Sequence, residues 1–209
     1  MFDPTDRGQF LNMAAFFEGG LVAAAFVLGW LVGTDPLETL SWKWTAAALG
    51  LAGVVPMFAL FLLSQRFPVG PLLRIKRFLV EMLGPSLSVC TWYDLILLAA
   101  LAGVGEEMLF RGVLQQQTWL GLVGSNVLFG LAHLITPLYA VLAGVIGVYL
   151  GMLMEAPGEP NLLVPMITHA VYDYLAFLVV VRDYRAEQRA RQERPAENQD
   201  AFKDDDPEN

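Results

Sequence analysis

The chain has 209 residues, of which 56% are hydrophobic and 16% charged. That apolar share, above the roughly 45–50% of a soluble domain, excludes a disordered protein, and a single cysteine, Cys90, excludes a disulfide scaffold. A formal net charge of −8 argues against a nucleic-acid surface. Part of that charge is a tail effect, because residues 183–209 hold nine acidic and five basic side chains. Between Leu83 and Val181, by contrast, the only Lys or Arg is Arg111. A stretch so poor in cations reads as membrane.

A crossing helix needs about 20 mostly apolar residues. Leu11–Val32 is the first predicted span, with Asn12 and Glu18 near its start. The acidic beginning of the chain (Asp3, Asp6) and the lack of a small-residue cleavage site after the apolar run argue against a signal peptide. Trp44–Leu63 is a second span without a charge, with Trp42 and Trp44 suited to an interfacial belt. Within Arg66–Leu83, Leu72, Ile75, Leu79 and Met82 recur at helical spacing while Arg74, Arg77 and Glu81 fall elsewhere on the wheel. This predicts an interfacial amphipathic helix, with a plain connector as the alternative. Trp92–Leu114 is a third span, apolar until Glu106, Glu107 and Arg111. Trp119–Ile135 and Leu138–Met154 follow, separated by Thr136-Pro137, and Leu162–Val181 is the last. The expected fold is all-α: a polytopic transmembrane helix bundle of about six spans plus one interfacial amphipathic helix. Residues 1–182 form the membrane domain, with its motif-bearing core at about 92–181. The tail, 183–209, is expected to continue the last helix and then decay into an Asp-rich disordered end.

The positive-inside rule orients the bundle. Arg66, Arg74, Lys76 and Arg77 lie on one connector, and the last span exits into Arg182, Arg185, Arg189 and Arg191. The loops Gly33–Trp42 and Glu155–Asn161 are acidic and hold no cation. Both termini and the basic connector are therefore expected on the cytoplasmic side, in a bacterial cytoplasmic membrane.

Ionisable side chains inside a span cost at least about 2.5–3.5 kcal/mol each on insertion scales, so they point to function. The set is Glu106, Glu107, Arg111, His133, His169 and Asp173, and it contains both histidines of the chain. Glu107 and Arg111 are four residues apart, with the carboxylate first, which favours a structural ion pair. Glu106 lies about 100° round the helix from Glu107 and cannot share that contact. It either ends the apolar part of a helix at the interface or serves as a general acid or base in a low-dielectric site. Phe129 and His133 are one turn apart, so the ring can pack beside an imidazole that is either a packing residue or functional. His169 and Asp173, also at i, i+4, form either a local tether or a pair directed into a shared cavity. Three spans thus offer polar groups, and mutual satisfaction inside the bundle is the least costly arrangement in lipid.

The series EExxxR (Glu106, Glu107, Arg111), FxxxH (Phe129, His133) and HxxxD (His169, Asp173) resembles the three motifs of the CAAX-processing and bacteriocin-processing family, also called Abi, of intramembrane glutamic endopeptidases. The resemblance covers roughly Trp92–Val181. It implies that Glu106 activates a water held or polarised by His133, and that Glu107 and Arg111 support the site. It further implies that His169 and Asp173 stabilise the oxyanion of the tetrahedral intermediate. An ionised Asp173 would repel an oxyanion, so its expected part is to orient His169 as a donor. The resemblance implies a metal-free mechanism without cofactor, acting on a peptide or membrane-associated protein substrate from the lipid bilayer.

Three other readings are weighed against this one. His133, His169, Asp173 and Glu106 are an acceptable donor set for zinc, although HExxH is absent. A proton-coupled transporter would use similar groups, but would be expected to repeat them in both halves. A non-catalytic scaffold on the same bundle would be expected to have lost a motif residue.

Overall fold

The structure, a computed structural model, describes residues 3–67 and 69–193. Among them the chain is helical throughout, with no strand. The helices are α1 (Arg7–Val32), α2 (Trp44–Arg66), α3 (Pro71–Ser88), α4 (Trp92–Glu107), α5 (Gly121–Ala132), α6 (Pro137–Glu155) and α7 (Leu163–Glu193). A π-helical segment, Met108–Leu114, continues α4 directly. The polytopic helical bundle expected from hydropathy is what the chain forms. The expected disordered end of the tail lies after Glu193, outside the described residues.

Helix starts follow local chemistry. Asp6 caps α1 by accepting from the Gln9 amide at 3.0 Å, and Thr136 caps α6, whose first residue is Pro137. α4 opens with a capping box between Thr91 and Asp94. The Asp94 carboxylate also accepts two bonds from Arg7, at 2.7 and 2.6 Å, which staples the start of α1 to the start of α4.

α1, α2, α6 and α7 are each long and apolar enough to cross a membrane. α4 has 16 residues and reaches that length only with its seven-residue π continuation. α5 is shorter than the predicted Trp119–Ile135 segment: its 12 residues rise about 18 Å. Gly121, in the left-handed region at φ +55°, delays its start, and it ends at His133. Large apolar side chains such as Trp30, Trp44, Leu60, Trp119 and Val123 face outward, the surface that a lipid-embedded bundle requires.

α7 is the central element, packed against α2, α3, α4 and α6. Close approach depends on small residues: a Cβ at Gly50 would lie 2.9 Å from the Val164 carbonyl, and one at Gly103 would lie 2.9 Å from Ala170 Cβ. Thr168 Oγ1 donates to the Gly50 carbonyl at 2.8 Å, adding a polar tie between α2 and α7. α3 lays Ile75, Val80, Gly84 and Leu87 inward, while Arg74, Arg77, Glu81 and Met82 stay exposed. Met82 thus leaves the predicted apolar stripe, because the buried face turns toward Tyr184 of α7 at Gly84.

The two acidic loops meet at one end of the bundle. Asn161 Nδ2 donates to the Ser41 carbonyl at 3.0 Å, and Lys43 pairs with Glu159 at 3.4 Å. At the opposite end Lys76 of α3 pairs with Asp183 of α7 at 2.9 Å, and Arg185 donates to the Ser88 carbonyl at 3.0 Å.

Candidate active site

Three elements bring the sequence-predicted residues together: the junction of α4 with the π segment, the C-terminal end of α5, and the first three turns of α7. Arg111 and Glu107 are fully buried, and Arg111 Nη1 donates to Glu107 Oε1 at 3.0 Å. The π turn, marked by the Gln115 amide bonding the Phe110 carbonyl five residues back at 2.8 Å, widens the helix next to this pair.

His133 ends α5. Its Nδ1 lies 2.8 Å from the Phe129 carbonyl, an atom that only accepts, so Nδ1 carries the proton. His169 is similarly fixed, with Nδ1 2.7 Å from Glu107 Oε1. With both Nδ1 atoms engaged, both Nε2 atoms turn to the same place. They lie 3.7 Å (His133) and 3.8 Å (His169) from Glu106 Oε2. That oxygen is shielded from solvent and accepts no hydrogen bond from the described residues. Asp173 Oδ2 is 3.4 Å from His169 Nε2.

Two carboxylates therefore flank the His169 ring: Glu107, from another helix, faces Nδ1, and Asp173 faces Nε2. The reason is geometric: the i, i+4 step along α7 sets Asp173 on the Nε2 side of the ring, while α4 approaches Nδ1.

Phe129 is wedged between two cationic or polar partners. Its ring lies 4.5 Å from the His133 ring at an interplanar angle of 32°, and Arg111 Cζ stands 4.5 Å from its centroid. Phe110 meets its edge at 4.9 Å.

Two further residues, outside the three motifs, join the site. Asn126 of α5 is buried and accepts from Arg111 Nη2 at 3.0 Å, while the same nitrogen donates to the Gly147 carbonyl at 2.9 Å. Glu18 of α1 lies against Gly105, with Oε2 shielded from solvent. The only signal of either in the sequence is a polar residue inside an apolar run. Among the described residues, no group of three or more His, Cys, Asp or Glu is arranged to hold a metal ion. Cys90 lies at the start of α4, bonded to the Ser86 carbonyl at 3.4 Å, far along the helix from this cluster.

The cluster combines a shielded carboxylate oxygen, two imidazoles of fixed orientation and a buried cation, which is an arrangement suited to moving a proton between a water and a leaving group. Residues 88–175 match the family model described as Type II CAAX prenyl endopeptidase Rce1-like, which supports the resemblance drawn from the three motifs. The matched stretch contains all seven motif residues, from Glu106 to Asp173. No curated protein and no solved structure matches the chain.

Proposed function

We propose that this chain, whose residues 88–175 match an Rce1-like family model, is an intramembrane endopeptidase that hydrolyses a peptide bond with a water activated by Glu106. One observation carries the reading: two imidazole Nε2 atoms, from His133 and His169, converge on a single shielded oxygen of Glu106 at 3.7 and 3.8 Å. Those separations exceed a direct hydrogen bond, and a water lying to one side of the line can bond to the carboxylate and an imidazole together.

In this reading Glu106 removes a proton from the water, whose oxygen attacks the scissile carbonyl carbon as the C=O π electrons move onto oxygen. His133 Nε2 positions the water. His169, protonated at both nitrogens when it acts as donor, stabilises the oxyanion through Nε2. Its Nδ1 proton is held by Glu107, and the Glu107 and Asp173 carboxylates balance its charge. Collapse of the intermediate breaks the C–N bond, and Glu106 passes its proton to the leaving amine. Arg111 keeps Glu107 in place and touches neither water nor peptide.

The substrate class is a peptide or a membrane-associated protein segment, reached from the bilayer. By the positive-inside rule the α3 and α7 basic end faces the cytoplasm, with both termini there.

The test uses the purified full chain in lipid nanodiscs, incubated with a diverse peptide library, with new peptide N-termini read by mass spectrometry. Cleavage that persists in the presence of a chelator is the expected result. No cleavage of any peptide would overturn the peptidase reading, and activity lost to chelator and restored by zinc would replace the glutamate mechanism with a metal one.

A further inference from the structure

We infer that Asn126, which lies outside all three motifs, is a positioning residue that fixes the ring orientation of His169 through Arg111 and Glu107. The inference deepens the peptidase reading and rests on it for its kinetic arm. A guanidinium buried without solvent contact needs fixed acceptors, because each unmatched N–H loses its hydration with nothing in return. Arg111 is fully buried, and its Nη1 serves Glu107 Oε1 at 3.0 Å. Its Nη2 is held by Asn126 Oδ1 at 3.0 Å and by the Gly147 carbonyl at 2.9 Å.

The Asn126 amide is itself oriented. Its Nδ2 donates to the Leu122 carbonyl at 2.7 Å, which turns Oδ1 toward the guanidinium and leaves no freedom to flip. α6 closes the other side: a Cβ at Gly147 would collide with Asn126 Oδ1 and lie 3.0 Å from Arg111 Nη2. The rigid guanidinium fork therefore has one orientation, and that orientation points Nη1 at Glu107 Oε1. The same oxygen receives the His169 Nδ1 proton at 2.7 Å. The chain of bonds runs Asn126–Arg111–Glu107–His169, across α5, the π segment, α4 and α7. At its end the Nε2 of His169 is left turned toward Glu106 and Asp173.

Asn126 never reaches the reacting atoms, so its role is separable from general packing by a readout on His169 itself. The chain has two histidines only, and ¹⁵N-histidine labelling of the full chain in nanodiscs therefore gives two imidazoles to follow, assigned by His133→Gln. Asn126→Leu keeps the γ-branched shape and removes the acceptor, and Asn126→Asp keeps an acceptor at the same place. Gly147→Ala disturbs the same contact from α6. The expected result for Asn126→Leu and Gly147→Ala is a changed nitrogen signature at His169 with His133 unchanged, and a fall in kcat of at least 10-fold with KM within about threefold on any peptide that the wild type cleaves. Asn126→Asp is expected to recover the His169 signature and most of kcat.

A His169 signature equal to wild type in folded Asn126→Leu or Gly147→Ala would overturn the inference, as would failure of Asn126→Asp to recover it. If Asn126→Leu does not fold, the Gly147→Ala and Asn126→Asp spectra decide the matter. If the wild type cleaves no peptide, the peptidase reading fails, and the nitrogen signature still decides the role of Asn126.

Discussion

One oxygen of Glu107 serves two donors from two directions: His169 Nδ1 at 2.7 Å and Arg111 Nη1 at 3.0 Å. This shared acceptor couples the ion pair of the α4–π junction to the imidazole on α7. It also divides the labour between two adjacent carboxylates. Glu107 is locked by partners, while Glu106 Oε2 faces both imidazoles at 3.7–3.8 Å.

The division predicts opposite phenotypes for the two neighbours. Glu107→Ala leaves Arg111 buried without its counter-ion and is expected to cost about 3–5 kcal/mol of stability. Glu106→Gln, which removes no bond made by the protein, is expected to stay within about 0.5 kcal/mol of wild type. Chemical unfolding in a single detergent compares them, and equal losses would contradict the assignment of the structural role to Glu107 alone.

Gly103 tests the approach of α4 to α7. A Cβ there would lie 2.9 Å from both Ala170 Cβ and the Ala170 amide nitrogen, and 3.0 Å from the Met166 carbonyl. Since Gly103 is one turn before Glu106 and Ala170 follows His169, Gly103→Val must separate the base from the imidazole. The expected cost is about 1–3 kcal/mol of stability, with peptide cleavage lowered more than 10-fold. Cleavage at the wild-type rate would show that the Glu106–His169 separation does not matter.

At the other end of α4, Thr91→Ala removes half of a capping box and is expected to cost about 1 kcal/mol. Asp94→Ala loses the cap and also the two bonds from Arg7, so it is expected to lower the unfolding midpoint further than Thr91→Ala. The double variant Arg7→Ala/Asp94→Ala separates the contributions by a thermodynamic cycle. A midpoint for Asp94→Ala no lower than that for Thr91→Ala would remove the α1–α4 staple from the account.

The motif residues were legible because ionisable groups are conspicuous in apolar helices, and because i, i+4 spacing is fixed by helical geometry. Glu107 and Arg111 needed nothing more to be paired. What hydropathy cannot show is where a backbone changes its winding: the π segment at Met108–Leu114 and the left-handed Gly121 that shortens α5 have the same composition as an ordinary span. Nor can spacing within one helix say which neighbour reaches a ring nitrogen. HxxxD suggested Asp173 as the orienting carboxylate of His169, and the packing of α4 on α7 through Gly103 and Ala170 brings a second carboxylate, Glu107, to Nδ1. Glu18 read only as a polar interruption of the first span, and Asn126 carried no motif, since their partners come from other helices.

The central claim is that Glu106 activates the attacking water. The most direct measurement is cleavage of one peptide substrate by wild type and Glu106→Gln, prepared together and shown to unfold at the same midpoint. The account predicts that the variant binds the peptide and leaves it intact, with turnover reduced by about 10²–10⁴-fold or more, the contribution of a positioned acid–base group. Equal turnover by the two proteins would contradict it.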